Sequence, residues 1–412
     1  MRLVLPARAV SYFGDALTLV VLALKIAESD QPVRMTVMLI AFSLPLFALS
    51  SVAGRLVDEH DSRRLLVGAG CLQVLASLGL VLSTSFAAMV GCVVLLQVGQ
   101  AVTGPSWSAL VPRIVGDALV GPAVGLQQSL AATAGLAGAA VGGVLYDVLG
   151  YAGTLAFDTA TFALLVAVAA TVRTRRGRRY DLVSTASAGG SGGSGAPAGA
   201  HDEPRSGLTL IRRDALLRLL VPALWLFILS AEATNVVEIF LIRGDLGASA
   251  AGYGATMAAF MLGSIAGPAL AGRVVGDRAR VSWTAACAGA MGALTVAIGL
   301  SPTIAVALPL FVVVGVCGGA LNALVSILIV TRTPERVRGR VLSTVNGTAR
   351  GFSVLAMVTG GLCGQLVGAR STFVGCGLVS VLAAVVVMRC RSGAGAGAPT
   401  GDPVAGTATM GV

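Results

Sequence analysis

Apolar runs of about twenty residues follow one another along almost the whole chain, and this spacing constrains the fold more than any single motif. An α-helix rises 1.5 Å per residue, so a hydrocarbon layer of about 30 Å takes about 20 residues to cross. Breaking the runs at charges, Pro and Gly predicts about twelve helices. They cover residues 5–27, 33–53, 65–83, 87–110, 121–145 and 152–172, then 215–241, 250–271, 281–300, 304–330, 341–366 and 371–388. Of the 412 residues, 56% are hydrophobic and only 12% charged, with mean hydropathy +0.88. A soluble domain carries roughly 25% charged residues. Most of this surface is therefore expected to face lipid, and the predicted class is an all-α integral membrane protein.

The charges are not spread evenly. Even-numbered connections hold Arg55, Arg63 and Arg64; Arg113; the arginines from Arg173 to Arg213; Arg273, Arg278 and Arg280; and Arg332, Arg336, Arg338 and Arg340. Odd-numbered connections hold only Arg34, Arg243 and Arg370. The positive-inside rule then predicts a multi-pass protein of the cell membrane with both termini in the cytoplasm. The net charge of +10 is assigned to anionic headgroups. With 5% aromatic residues and no basic segment interleaved with rings, nucleic acid is excluded as a partner. The N-terminal stretch "MRLVLPARAVSYFGDALTLVVLALKIA" is read as the first membrane helix, not a cleavable signal.

A polar segment divides the chain. It opens "RTRRGRRYD", passes through "ASAGGSGGSGAPAGAHDEP" and ends "IRRD", which reads as a flexible tether with basic ends. The two sides match at a constant offset: Gly54 and Gly272, Gly121 and Gly339, and Gly142 and Gly360 are each 218 residues apart. The expected organisation is an N-terminal six-helix bundle over 1–172, a cytoplasmic linker over 173–214, a C-terminal six-helix bundle over 215–390 and a disordered tail over 391–412. Paired bundles of this kind rock about a site between them.

The seven cysteines form no CxxC pair, and His60 and His201 fall in polar loops. No metal site, nucleophilic triad or nucleotide motif can be assembled, so an enzyme is not expected and no cofactor is called for beyond a proton gradient.

The segment "GRLVDEHDSRRLLV" places seven ionisable residues between two apolar runs. With twelve helices in two halves, its Gly54, Leu56, Asp58, Arg63 and Arg64 resemble the signature loop of the major facilitator superfamily. Glu59 stands where that pattern has a base and Asp61 where it has Gly; in the second-half copy Gly276 replaces the acid. Further stretches, "SYFGDALTLV", "GPAVGLQQSLAATAGLAGAAVGGVL", "AGYGATMAAFMLGSIAG" and "PERVRGRVLSTVNGTARG", resemble the drug and siderophore exporter branch related to macrolide-efflux proteins. In "GAAVGG" Ala139 replaces the proline of the family's antiporter pattern. The resemblance implies the major facilitator fold, with the first, fourth, seventh and tenth spans lining a cavity.

Asp58 can face the positive end of a helix dipole while Arg63 and Arg64 anchor at phosphates. The resemblance puts that helix start near residues 338–341, making Gly54, Asp58, Arg63 and Arg64 a conformational gate; the alternative is a topogenic charge cluster. Ionised residues within spans cost about 2.5–3.5 kcal/mol each on insertion scales, and they mark pathways. In the first span Arg8, Ser11, Asp15 and Thr18 share one stripe. The fourth span carries Gln97, Gln100, Gly104 and Trp107 along one side. In the seventh Glu232 and Asn235 share a face, with Glu238 near the outer end, and in the tenth Asn322 and Ser326 are four apart. Asp15 and Glu232 are candidate proton carriers, with Glu238 second; the alternative for Asp15 is a structural acid paired to Arg8. Ser11, Thr18, Gln97, Gln100, Trp107, Asn235, Asn322, Ser326 and Arg350 are candidates for contact with substrate. Arg350 pairs either with an acid or with an anionic substrate. Asp158 is assigned to packing or an outer gate. Gln127, Gln128 and Asn346 are candidates for hydrogen bonds between the halves.

The function these readings favour is proton-coupled efflux of a small amphipathic compound by a monomer. The alternatives are import or uniport of a metabolite, and a non-transporting membrane sensor or scaffold.

Overall fold

A computed structural model describes residues 4–115, 120–171, 215–332 and 335–394. The linker residues 173–214 lie outside the described residues; of the tail expected over 391–412, residues 391–394 continue the last helix and the rest lies outside the described residues. In the first half α1 is Val4–Ala27, α2 Pro32–Ala48, α3 Ser50–Glu59, α4 Ser62–Leu82, α5 Phe86–Val115 and α6 Val120–Thr171. In the second half α7 is Ala215–Phe240, α8 Ala250–Ala271, α9 Asp277–Gly299, α10 Ile304–Arg332, α11 Glu335–Val367 and α12 Ala369–Ala394.

Eight described segments are long and apolar enough to cross a membrane. One of them, Ser129–Thr171, is two rods meeting at Gly150, and three shorter apolar helices, Pro32–Ala48, Gly351–Val367 and Ala369–Val385, bring the rods to twelve. Large apolar side chains point outward along them: Leu75 is 66% exposed, Leu82 72% and Leu366 81%. Only a lipid solvent leaves such faces without cost.

Local sequence sets the ends. Pro32 occupies the first turn of α2, where its missing N–H costs nothing. The second predicted span breaks at Leu49 into α2 and α3, four residues after Pro45. Asp61 caps α4 by accepting from the Arg63 N–H at 2.9 Å, which accounts for an acid where the family pattern has Gly. The loop expected between the fifth and sixth spans is replaced by a hinge: Gly150, at φ 68° and ψ −175°, turns the chain without unwinding it. Beyond Phe240 the α7 ladder widens into a π-turn over Leu241–Asp245.

The few arginines of the odd-numbered connections are fastened to the fold. Arg34 lies over the Phe86 ring at 5.4 Å. Arg243 donates to the Ala248 carbonyl at 2.9 Å, and Arg370 donates to the carbonyls of Gly299, Ser301 and Asp245 at 3.2–3.4 Å.

The halves meet chiefly through two crossings, α2 on α11 and the first rod of α6 on α8, and α1 and α2 also touch α7. Thr36 donates to the Met357 carbonyl at 2.9 Å. At the other crossing a carbon added to Gly254 would lie 2.6 Å from the Ala139 carbonyl oxygen. Thr36 and Gly254 are 218 residues apart, as are Ala139 and Met357. A second pair obeys the same offset: Gly143 abuts the Ala250 carbonyl, and Gly361 abuts the Pro32 carbonyl and the Thr36 hydroxyl. The sequence repeat is thus a repeat of contacts. All four lie towards the ends of the rods that carry odd-numbered connections. There the apolar core is continuous across both halves, from Leu17, Leu22 and Leu24 to Ile239, Leu241 and Ile242. By contrast, α3 and α5 in one half, and α9 and α10 in the other, pack against members of their own half.

Candidate functional site

The polar stripe of α1 is turned inward, into its own half. Arg8, only 8% exposed, donates to the Tyr12 hydroxyl at 2.5 Å. Its guanidinium also lies 5.3 Å from the Tyr12 ring centroid and 5.9 Å from that of Trp107. Ser11, Gln100, Thr103 and Leu165 complete a narrow cavity around it. Gln100 is committed to the scaffold, accepting from Gln73 at 3.0 Å and Thr103 at 3.3 Å, while Gln97 is half-buried.

Asp15 is half-buried one turn further along, within electrostatic reach of both Arg8 and Asp158. Its carboxylate takes no hydrogen bond from the described residues, so Arg8 is a distant partner and not a clasp. Thr18 donates instead to Asp158, at 2.6 Å. Asp158 is fully buried between α1 and the second rod of α6, and takes a further bond from the Thr161 hydroxyl at 3.1 Å. Gly14 makes room for it, since a β-carbon there would overlap the carboxylate. Two acids therefore approach one another across α1 and α6, one read as a proton carrier and the other as a packing or gate residue.

On α7, Glu232 is half-buried and accepts from Asn235 on its own helix and from Ser353 on α11, both at 3.2 Å. Asn235 itself is exposed. Glu238 lies six residues on, about 240° further round the helix. It points away from Glu232, into the interior of the second half, and is 7% exposed. On α10, Asn322 and Ser326 are exposed, and Ser326 donates to the Asn322 carbonyl at 2.8 Å.

In the gate segment, Gly54 lies within α3, Arg63 is half-buried and Arg64 exposed at the start of α4. The side chains of Asp58, Gln128, Asn346 and Arg350 lie outside the described residues. The structure thus gathers Arg8, Ser11, Asp15 and Trp107 in one half, and Glu232 with Asn235 in the other. Sequence reasoning missed Tyr12, Ser353 and the place of Asp158 against Thr18. Tyr12 was the readable one, four residues from Arg8 and so one helical turn away.

A family model described as transmembrane secretion effector matches residues 1–398. The chain belongs to that family. Like the solved structures it resembles, the chain has the fold of a major facilitator transporter. One such structure is a bacterial homologue of the human lysosomal transporter Spinster in an inward-facing, unoccupied conformation. It is 14% identical, with 94% of this chain and 96% of that one covered and a TM-score of 0.67. A bacterial homologue of the iron transporter ferroportin, in an inward-facing state, is 15% identical over 93% and 97% of the two chains, TM-score 0.67. The nucleoside transporter NupG is 12% identical over 94% and 99%, TM-score 0.68. These identities speak for the fold alone. No curated protein matches by sequence. The chain is a multi-pass membrane transporter, not an enzyme. Transporters of this type draw on ion or substrate gradients and need no bound cofactor.

Proposed function

We propose that this transporter exports a small amphipathic compound across the cell membrane in exchange for protons, by alternating access. The observation that carries the reading is the pair of repeat-related crossings: the halves are held together at one end of the rods, and acids lie in each half beyond them. On the charge asymmetry of the connections, the joined end faces outward and both termini face the cytoplasm. The other end of the rods is then the one offered to cytoplasmic substrate, which is the loading state of an exporter. Residues 1–172 and 215–390 move as two bodies, with 173–214 as tether and 391–412 as tail, and the working unit is a monomer.

Asp15 and Glu232 are the proton carriers in this reading, and Glu238 the second choice. Among the described residues Asp15 takes no hydrogen bond and has no cation within ion-pair distance, and Glu232 has two neutral donors, so either can gain a proton without breaking an ion pair. Ser11, Gln97, Asn235, Asn322 and Ser326 supply polar contacts in an otherwise apolar passage. Export suits an amphipath because the cavity walls replace membrane, not water, around its apolar part.

The test is proteoliposomes with an imposed pH gradient and an internal pH dye, challenged with a panel of amphipathic cations, anions and neutral compounds. At least one class should move protons down the gradient, with the movement abolished in Asp15→Asn or Glu232→Gln. Compound movement indifferent to the gradient, or both variants behaving as wild type, overturns the coupling assignment.

A further inference from the structure

The second half encloses a cavity of about 120 Å³ between α7, α8, α9, α10 and α12. An engineered apolar cavity of roughly 150 Å³ admits a benzene ring, so this space takes a headgroup and not a whole drug-sized molecule. Its wall carries four aromatic rings, Phe227, Phe260, Phe311 and Phe373, together with Met291. The hydroxyls at one end are committed: Ser380 donates to Ser230 at 2.8 Å, and Ser230 donates to the Cys376 carbonyl. Glu238 is different. Its side chain lines the same space, it is 7% exposed, and its Oε1 is buried with no hydrogen-bond partner among the described residues. An unsatisfied carboxylate oxygen in an apolar wall is costly to keep unless something fills its place.

We propose that this cavity binds the alkylammonium head of a cationic amphipath, with Glu238 as counter-charge and the phenylalanine rings around the alkyl groups. The chemistry excludes the nearest alternatives. A metal ion is held by several strong ligands, and no group of three His, Cys, Asp or Glu residues lies together among the described residues. An anion would meet the carboxylate. A neutral apolar ligand would leave Oε1 as it is. A trimethylammonium-type head instead offers positive charge to the carboxylate and to the ring faces at once, a pairing that gains most where water is excluded. The mouth lies at Asn235, the exposed member of the wall, so the rest of the molecule extends towards the side of α7 that carries Glu232. This deepens the exporter reading by naming the substrate's charge, and it rests on that reading only for the direction of movement.

The experiment is binding, which is independent of transport. Choline and its neutral isostere 3,3-dimethylbutan-1-ol are titrated calorimetrically into the purified full chain in detergent. Choline should bind saturably and at least tenfold more tightly than the alcohol, and Glu238→Gln should erase the difference. Should that variant not fold, Phe311→Leu should weaken choline several-fold and leave the alcohol unchanged. Equal binding of the two compounds, binding of neither, or an undiminished preference for choline in the folded variant tested overturns the proposal. Gradient-driven transport failing while charge-selective binding holds would remove the exporter reading alone.

Discussion

Asp147, near the end of the first rod of α6, accepts a 3.0 Å hydrogen bond from the backbone N–H of Ala251, the second residue of α8. The carboxylate belongs to one half of the protein and the helix start to the other. The first N–H groups of a helix have no partner within it and carry the positive end of its dipole. Ser249 satisfies one of them, accepting from Gly252 at 3.1 Å, and Asp147 satisfies another from across the interface.

Removing that carboxylate should loosen the joined end. A charge on an exposed helix N-terminus is worth about 0.3–1 kcal/mol, so Asp147→Ala should raise the population separated at this end by up to about fivefold. Spin labels at Val148 and Leu366, both on exposed positions, report the separation as a longer distance in pulsed electron resonance. A distribution identical to that of the parent would show that the bond contributes nothing to closure.

The glycine crossings should matter more than the hydrogen bond. A β-carbon at Gly143 would overlap the Ala250 carbonyl, and one at Gly361 would overlap the Thr36 hydroxyl. Overpacking of this sort costs about 1–3 kcal/mol. Gly143→Ala and Gly361→Ala should each lengthen the same label distance, because the offset of 218 residues makes them equivalent. Gly351→Ala, with nothing within 4 Å of the added carbon, should leave it unchanged. A shift in only one of the two equivalent variants would break the symmetry argument.

The sequence was most informative where one dimension suffices. Span length, arginine bias and the repeat are properties of order along the chain, and Gly142 with Gly360 could be paired by counting. The hinge at Gly150 was hidden because a glycine between two apolar runs reads equally as loop or kink. Packing was expected of Asp158, but its partners could not be read. Its place depends on Gly14 and Thr18, some 140 residues away, and no local spacing encodes that approach. The cavity at Glu238 was equally illegible, as its walls come from five helices and its phenylalanines look like ordinary core. What could be read was the carboxylate itself, a charge that lipid would not tolerate without a purpose.

The buried pair of Thr18 and Asp158 yields a stability prediction. Thr18→Val keeps the shape and deletes the donor to Oδ2, leaving that oxygen buried and unpaired. An unsatisfied buried group costs about 1–3 kcal/mol, so the detergent-solubilised protein should melt several degrees lower. Thr18→Ser, which keeps the hydroxyl, should recover most of the loss. Equal melting of all three would mean that Asp158 is satisfied by something other than Thr18.

Arg370 supports the outer end of the second half in a way lysine cannot copy. Its guanidinium reaches three carbonyls on two segments, those of Gly299 and Ser301 at the end of α9 and of Asp245 in the π-turn, and lies 3.9 Å from the Asp245 carboxylate. Lysine is a point charge without the planar fork. Arg370→Lys should therefore lower the melting temperature nearly as much as Arg370→Ala, although it preserves the charge. Rescue by lysine would make the site a simple ion pair.

Glu28, in the turn after α1, gives a pH dependence whose sign is fixed. Partial burial alone would push its carboxyl up. Hydrogen bonds from Lys25 at 2.7 Å and Tyr146 at 2.5 Å, with the charges of Lys25 and Arg243, outweigh that and hold it below the ordinary value of 4.5. A group whose folded-state pKa is depressed stabilises the fold fully above its unfolded value, and the contribution fades as pH falls through the folded one. The melting temperature of the parent should thus exceed that of Glu28→Gln by a constant margin at neutral pH. The margin should shrink only once the pH drops below about 4.5, where protonation frees Lys25 and leaves Tyr146 a weaker acceptor. The group is half exposed, so the margin is expected to be small and to diminish with added salt. A difference that grows in acid would reverse the sign and show that the Tyr146 bond, not the charge of Lys25, governs the turn.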